Sequence, residues 1–491
     1  MKTSRVPAIA LLAGLATSAL LALDVWPAIR GPESWRWGRR VLGAWPGLLL
    51  VVGLFVLLVL VAGGIRRAWG ARPNRARFPL LVAAVVVIFA QMVTLTAIEP
   101  GGLSNIPRRV IDPSFTTYHW IARDVGEVRQ LLREYPRLQR TFPVHGASQP
   151  PGRVLFFDAV DLWASKAGRP ERILALADRL GGVPESNLRQ SDGERAGAFV
   201  AGWLLLAIGA LTVLPLIVLA GGRGDPATVA AAVLLMGTVP SFLLFTPETD
   251  HLLLLLTLTS AAFLTEAMRY ASRPWAAACA LGAGLFAGAA VLVSLTTFAA
   301  LLAWGIAFAG MVVLAARRGA PMPTPIRTVS LAIAALAGFA AVPGAAAWGG
   351  LDWPSVTREC FRAAQVVQGL VHHRDYSTWV RWNLWDFALF LGPPLVVAWL
   401  ARVPGELKEL FGRAKPSVEI PFGIALLAGV VALDLSGTIL GETGRVWMFL
   451  MPLAAAAAGG AASRDAAGVL PLATGQLLVL LALRAFVNVP G

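Results

Sequence analysis

The stretch GAWPGLLLVVGLFVLLVLVAGG, residues 43–64, contains no charged side chain and is long enough to cross a bilayer as a single α-helix. Apolar runs of comparable length recur along the whole chain, and they predict thirteen membrane spans. The predicted spans are residues 7–28, 43–64, 79–98, 197–220, 226–244, 250–270, 275–293, 297–316, 328–348, 383–402, 419–438, 446–462 and 468–487. The sequence therefore predicts an all-α fold, a polytopic transmembrane helical bundle.

The composition supports this class of protein. Of the 491 residues, 57% are hydrophobic and 14% are charged, and the mean hydropathy is +0.67. A soluble domain would carry roughly a quarter charged residues. The net charge of +14 indicates loop arginines that face anionic lipid headgroups rather than a nucleic acid, because the basic residues form no soluble module. The two cysteines, Cys279 and Cys360, predict neither a disulfide framework nor a thiolate metal site.

The polar residues divide the chain into three parts. Residues 1–98 hold the N-terminal transmembrane helices, and residues 99–195 form a long polar loop. Residues 196–491 hold the transmembrane core, which includes a second polar loop at residues 349–382. A polar insertion this long and this early is more typical of an enzyme that works on a membrane-anchored substrate than of a channel or carrier.

Two segments of the long loop predict amphipathic helices that lie in the membrane interface. Residues 125–138 repeat apolar side chains at helical spacing, opposite several arginines. Residues 153–166, RVLFFDAVDLWASK, begin directly after a Pro-Pro-Gly sequence and are too short and too charged to span comfortably. We therefore expect both helices on the surface of the bilayer.

The arginine and lysine residues favour a cytoplasmic N-terminus, because the inner connections are then richer in them than the short outer loops. This orientation places residues 99–195 outside the cytoplasm. The five histidines then fall on the outer side or at outer helix ends: His119, His145, His251, His372 and His373. The predicted location is the plasma (inner) membrane, with several spans and an extracytoplasmic active site.

Two acidic clusters are candidates for chemistry on this outer side. Asp112 follows the third predicted span and precedes an aromatic run that contains Tyr118 and His119. A carboxylate at the membrane rim can accept a proton from a hydroxyl, although an Asp-Pro pair is also a common turn starter. Glu248 and Asp250 lie in a very short outer turn, where Asp250 could equally cap the next helix. Because carboxylates in a membrane are costly unless they are used, the two clusters together indicate one site.

Cationic groups occur in the second polar loop and in a later outer turn. Cationic side chains such as Arg374 at headgroup level suit a lipid phosphate, and a solvated loop is the open alternative. Next to it, His372 and His373 are adjacent and point apart, so they do not predict a metal pair. In GETGRVWMFLMP, residues 441–452, Glu442 and Arg445 are three positions apart. They form either an ion pair that fixes a helix end or an arginine held toward an anionic group.

Four segments together resemble the GT-C class of membrane glycosyltransferases, which use polyprenyl-phosphate sugars and include the protein O-mannosyltransferases and the lipid A aminoarabinose transferase. The segments are IDPSFTTYHW (111–120), HGASQPPG (145–152), TPETDHLLLLL (246–256) and GETGRVWMFLMP (441–452). In that class an acidic motif opens the first long outer loop shortly before a tyrosine, as Asp112 and Tyr118 do here. HGASQPPG is similar to an HPP-like signature, with Gln149 where a histidine is more usual and His145 as the nearby candidate to replace it. Asp250 is similar to an acidic residue that begins a leucine-rich helix.

The resemblance implies an inverting transfer of a sugar from a polyprenyl-phosphate donor to a hydroxyl or amine of a glycan, lipid or protein acceptor at the outer face. It implies Asp112 as the general base and Asp250 as a second catalytic residue that orients the acceptor or the sugar. The candidate substrate-binding residues are Tyr118, His119, His145, Gln149, Arg153, Glu248, His372, His373, Arg374, Tyr376, Glu442 and Arg445. Among these, Arg153, Arg374 and Arg445 are the candidates for holding the phosphate. Some members of the class use a divalent cation and others do not, while this chain carries no HExxH, CxxC or nucleotide-binding motif.

Two other classes of protein remain open on the sequence. A ligase or polymerase of lipid-linked glycans would use the same outer side, but its long loop is expected late in the chain. A transporter or flippase should show interrupted spans in two matching halves, with polar groups at mid-membrane depth. Here the ionisable groups concentrate at the outer rim, and spans 226–244 and 297–316 are nearly free of them. This distribution favours the transferase.

Overall fold

A computed structural model describes residues 5–43, 45–70, 77–113, 115–184, 190–221, 226–269, 272–319, 325–371, 373–412, 420–462 and 466–489. Within these ranges the chain is almost entirely α-helical. The helices are α1 (Val6–Leu23), α2 (Trp45–Gly70), α3 (Arg77–Ala97), α4 (Asn105–Ile111), α5 (Tyr118–Ala122), α6 (Val128–Leu138), α7 (Val144–Ala147), α8 (Gly152–Ala164), α9 (Arg169–Arg179), α10 (Asp192–Leu211), α11 (Val213–Gly221), α12 (Pro226–Met236), α13 (Pro240–Leu244), α14 (Asp250–Arg269), α15 (Arg273–Val293), α16 (Thr297–Arg317), α17 (Pro325–Trp348), α18 (Trp353–Val366), α19 (Tyr376–Leu391), α20 (Pro393–Phe411), α21 (Phe422–Ser436), α22 (Thr443–Val446), α23 (Met451–Ala462) and α24 (Ala466–Phe486). Strand β1 (Gly38–Arg39) pairs antiparallel with β2 (Val487–Asn488), which fixes the segment after α1 to the end of α24.

Nine helices in the described ranges are long and apolar enough to cross a membrane. They are Val6–Leu23, Trp45–Trp69, Arg77–Ala97, Asp192–Gly221, Asp250–Arg269, Pro274–Val293, Thr297–Arg317, Ile326–Trp348 and Gly468–Phe486. The apolar pair α19 and α20 passes the same test together but is bent by 108°. The protein is thus an all-α polytopic membrane protein, and the predicted fold class is confirmed.

The structure corrects four of the thirteen predicted spans. Three of them, 226–244, 419–438 and 446–462, lie on shorter apolar helices: Pro226–Met236, Phe422–Ser436 and Met448–Gly460. In the first of these, Val239 is extended, with φ −66° and ψ 118°, because it precedes Pro240, and α12 therefore ends early. The fourth, 383–402, is broken where Gly392 adopts a φ of 95° and Pro393 cannot continue the helical hydrogen bonding. Hydropathy detects apolar length but not such interruptions.

The polar loop is a packed layer of short helices, α4 to α9. Helices α6 and α8 coincide with the two amphipathic helices that the sequence predicts there. The buried face of α6 includes Leu131 and Tyr135, and that of α8 includes Val154 and Phe157. These residues belong to a second hydrophobic cluster, beside the main one between the spans. The layer therefore holds the first turn of α8 against the edge of the bundle.

The first turn of α8 lies against the C-terminal end of α15. A Cβ atom at Gly152 would overlap the backbone carbonyl group of Leu292, so the two helices approach this closely only because Gly152 has no side chain. The Tyr135 hydroxyl donates a 3.1 Å hydrogen bond to the carbonyl oxygen of Gln149. These contacts fix the segment before α8 and place Arg153, the second residue of that helix, at the boundary with the bundle.

Candidate active site

A cavity of about 380 Å³ lies between the first turns of α8, α14 and α16, the side of α18 and the C-terminal end of α21. Seven of the predicted site residues line it: Tyr118, Gln149, Arg153, Asp250, Arg374, Glu442 and Arg445. The same wall contains apolar side chains, among them Leu295, Phe298, Phe361, Leu433 and Val446. Distant parts of the sequence therefore meet at one cavity with both charged and apolar surfaces.

Five charged side chains form a row of alternating sign, which we call the charged row. Arg374 Nη2 lies 3.1 Å from Glu442 Oε1, and Glu442 Oε2 lies 3.0 Å from Arg445 Nη2. Arg445 Nε lies 4.0 Å from Asp250 Oδ2, and Asp250 Oδ1 accepts a 2.8 Å hydrogen bond from Arg153 Nη2. Each carboxylate of the row thus lies between two guanidinium groups, which offsets the cost of burying these charges.

Arg153 is held by several further contacts. Its Nη1 donates a 2.6 Å hydrogen bond to Thr249 Oγ1, and its Nε donates one of 3.3 Å to the carbonyl oxygen of Val293. Its guanidinium carbon lies 5.2 Å from the centre of the Tyr118 ring. Burial raises the pKa of the Tyr118 hydroxyl, so this group stays protonated and able to donate at neutral pH.

Glu248 adds a carboxylate beside the charged row without lining the cavity. Its Oε1 lies 3.7 Å from Arg445 Nη1. Burial raises the pKa of Glu248 to about 7, although Arg445 acts in the opposite direction. Burial alone would lower the pKa of Arg445, but the carboxylates of Glu442, Glu248 and Asp250 raise it above its usual value. Arg445 is therefore permanently charged, whereas Glu248 titrates near neutral pH.

The turn that precedes α22 is held in place by α19. Asn383 Oδ1 accepts a 2.8 Å hydrogen bond from the backbone N–H of Gly441, and Asp386 Oδ2 accepts one of 2.8 Å from that of Gly444. Between these anchors Glu442 has a φ of 55°, in the left-handed region that a side chain rarely adopts. Such a conformation persists only where its surroundings enforce it, and here it directs Glu442 between two arginines.

Two arginines of the charged row have an Nε–H group that donates no hydrogen bond to any described residue. Arg374 Nη1 donates to the carbonyl oxygen of Leu440 at 2.5 Å, and its Nη2 pairs with Glu442. Its buried Nε has no hydrogen-bond partner in the described part of the chain, and neither has Arg445 Nε. Buried donors without partners are costly, so both positions would be stabilised by a ligand with several acceptor oxygens.

Four further predicted site residues do not line the cavity: Asp112, His119, His373 and Tyr376. Asp112 is half-buried at the C-terminal end of α4. His119 Nε2 lies 3.2 Å from Asp161 Oδ1, and the Tyr376 hydroxyl donates to the carbonyl oxygen of Leu435 at 3.2 Å. His373 is exposed and has a φ of 49°. His372 and the side chain of His145 lie outside the described residues.

The cavity also contains polar residues that the sequence analysis does not single out. They include Ser294, Thr296, Thr357, Gln368, Ser436 and Thr438. Uncharged hydroxyl and amide groups in a pocket wall suit a ligand with several hydroxyl groups. For Ser294 and Thr296 the sequence does offer a signal, because they belong to the polar stretch SLTTF, residues 294–298, which separates two apolar runs.

A divalent cation does not fit the side chains of this cavity. The described residues contain no group of three or more His, Cys, Asp or Glu side chains that could hold a metal ion. The cavity carboxylates Asp250 and Glu442 are instead engaged by arginines. Calcium and magnesium require several carboxylate or carbonyl oxygens for themselves, and the arginine-paired carboxylates of this cavity do not supply them.

The fold and the cavity together define a polytopic α-helical membrane protein with a buried charged site. No family model and no curated protein matches this chain. Among solved structures, it is similar to the oligosaccharyltransferase of Archaeoglobus fulgidus in complex with zinc and sulfate, with 14% sequence identity and a TM-score of 0.41. The match covers 83% of this chain and 54% of the archaeal one, so this chain spans about half the length of that protein. A likeness at this level adds nothing to the argument about the site.

Proposed function

We propose that this protein is a membrane glycosyltransferase that moves a sugar, with inversion, from a polyprenyl-phosphate donor to an acceptor hydroxyl or amine at the outer face of the membrane. The observation that carries the proposal is the composition of the cavity wall. Two buried arginine N–H groups that donate no hydrogen bond within the described part of the chain lie in the same wall as a group of apolar side chains. A phosphate that carries a long hydrocarbon chain matches both the arginine N–H groups and the apolar side chains of this wall.

The phosphate is assigned to Arg374 and Arg445. Glu442 engages both guanidinium groups through their Nη2 atoms, and neither Nε donates a hydrogen bond to a described residue, although that of Arg445 lies 4.0 Å from Asp250 Oδ2. A guanidinium is planar and permanently charged, and its donors match the spacing of phosphate oxygens. Arg153 completes the cationic surface on the far side of Asp250.

The hydrocarbon chain is assigned to the apolar part of the wall. Phe298 on α16 and Phe361 on α18 both line the cavity, yet they are 54% and 50% exposed. In a membrane protein, exposed apolar side chains at the rim of a cavity are in contact with lipid. A polyprenyl chain therefore reaches the cavity from the side, between α16 and α18.

The chemistry needs a base and a stabilised leaving group. The acceptor oxygen or nitrogen attacks the anomeric carbon on the face opposite the phosphate, the bond to the phosphate oxygen breaks, and the acceptor proton passes to a carboxylate. We assign this base to Asp250, because it lines the cavity and Asp112 does not. The phosphate leaves as an anion, so fixed positive charge from Arg374 and Arg445 lowers the barrier without a proton donor.

The test is turnover of labelled donors by the purified protein in lipid nanodiscs. A panel of radiolabelled polyprenyl-phosphate hexoses and pentoses is incubated with the protein and a membrane extract that contains acceptors. We expect one donor to lose its sugar, and we expect the Asp250→Asn variant to retain donor binding while losing turnover. If the wild-type protein neither binds nor turns over any of the donors, the proposal is overturned and a transporter becomes the better hypothesis.

A further inference from the structure

The segment between α1 and α2, residues 24–43, contacts the Arg374 end of the charged row. The guanidinium carbon of Arg374 lies 5.1 Å from the ring centre of Trp35 and 5.0 Å from that of Trp379. The two indole rings are 5.7 Å apart and inclined by 62°. Arg374 is thus contacted by an indole from each of two distant parts of the chain, at distances where a cation and an aromatic face attract each other.

The same segment also supports the turn before α22. Trp37 is buried, and its Nε1 donates a 2.8 Å hydrogen bond to Asp386 Oδ1. The other oxygen of Asp386 accepts the backbone N–H of Gly444, in the first turn of α22. Trp35 and Trp37 lie edge to face with ring centres 4.8 Å apart. One short stretch of chain therefore contacts Arg374, a member of the charged row, and Asp386, which holds the turn that carries Glu442.

We propose that Trp35, in this N-terminal segment, is a positioning residue of the active site, which keeps the Nε of Arg374 directed at the donor phosphate. The proposal rests on the proposed function, in which Arg374 binds that phosphate. The alternative geometry for Arg374 is a bidentate pair with Glu442, made through Nε and one Nη atom. That pair would consume the N–H group that the donor needs and would draw Glu442 away from Arg445. The attraction to the indole of Trp35, whose ring centre lies 5.1 Å from the guanidinium carbon, opposes this rotation.

The first test measures the affinity of decaprenyl phosphate in nanodiscs of neutral phospholipid. For Trp35→Ala we expect the dissociation constant, and the KM of the donor, to rise about 5- to 30-fold, in line with the usual strength of a cation–aromatic contact at a desolvated site. Because Trp35 touches no reacting group, kcat at saturating donor should stay within about two-fold. Trp35→Phe should restore most of the affinity, since it retains an aromatic face. Trp26→Ala is the matched control: Trp26 belongs to the same segment, is 48% exposed, and its ring contact is with Trp385.

The second test needs no donor. A double-mutant cycle of Trp35→Ala with Arg374→Met on thermal unfolding should show that the two substitutions are not additive. Additive effects would overturn the proposal, and so would a folded Trp35→Ala variant that binds decaprenyl phosphate as tightly as the wild type. A wild-type protein that binds no decaprenyl phosphate would instead refute the proposed function, and the positioning role of Trp35 would fall with it.

Discussion

Replacement of Arg445 tests the charged row most directly, because its guanidinium contacts Glu442 at 3.0 Å, Glu248 at 3.7 Å and Asp250 at 4.0 Å. At an effective dielectric constant of about 20, each contact is worth about 4–6 kcal/mol before desolvation is subtracted. Removing one partner of a buried ion pair costs about 3–5 kcal/mol, because the remaining charges stay buried. We expect Arg445→Ala to lower the free energy of unfolding by about 3 kcal/mol, the lower end of that range, because the Arg445 side chain is 18% exposed.

The Arg445→Lys variant separates binding from stability. It keeps the positive charge, but a single ammonium group cannot reach three carboxylates in three directions and also offer an N–H group to the donor. We expect a folded protein whose affinity for decaprenyl phosphate is about ten-fold weaker, which corresponds to about 1.4 kcal/mol. The measurements are thermal unfolding and the binding of decaprenyl phosphate in nanodiscs. The control is Arg381→Ala, which replaces an exposed arginine on α19. An unchanged affinity of Arg445→Lys for decaprenyl phosphate would refute the assignment of Arg445 to the phosphate. Arg445 would then have only a structural role, as the partner of the neighbouring carboxylates.

Three other substitutions probe the rest of the site. Asp250→Asn should reduce turnover by about 10²–10⁴-fold and Asp112→Asn by much less; the reverse order in a turnover assay would return the general base to Asp112. Gly152→Ala should misplace Arg153 by forcing α8 away from α15, which raises the donor KM while leaving expression intact; a KM equal to that of the wild type would contradict this. The folded state keeps the Glu248 carboxyl protonated up to about pH 7, whereas the unfolded chain releases this proton near the usual pKa of a glutamate, so the stability of the fold should fall as the pH rises between these two values. Glu248→Gln should therefore reduce the fall in melting temperature between about pH 5 and pH 8. A melting temperature that depends on pH as in the wild type would refute this assignment.

The class of fold and the members of the charged row are largely readable from sequence. Apolar length identifies nine of the thirteen predicted spans, and the cost of placing charge in a membrane singles out Asp250, Glu442 and Arg445 as candidate site residues. Helical periodicity likewise predicts α6 and α8, because each has one apolar face. Each of these inferences uses only local spacing and the cost of burial.

The supports of the site are not readable in the same way. Trp37 and Asp386 are 349 residues apart, and no periodicity connects them. Trp35 looks like an ordinary interfacial tryptophan until the structure places it against Arg374. Asp112 stays a prediction: its sequence context resembles a catalytic motif, but whether its carboxylate reaches a cavity depends on how α4 and α5 pack. Long-range packing, which a single sequence does not display, decides such cases.

The residues of the charged row are synthesised at different times, and their charges therefore compensate one another only when the last of them has been added. Translation delivers Arg153 and then Glu248 and Asp250 well before Glu442 and Arg445. A nascent chain inserted as far as α18 would therefore hold Glu248 and Asp250 without Arg445, the arginine that contacts both, in surroundings that make uncompensated charge costly. The arrival of the turn before α22 supplies Arg445, so the candidate site becomes electrostatically complete only late in translation, and a product truncated before this turn would keep buried carboxylates without their partner.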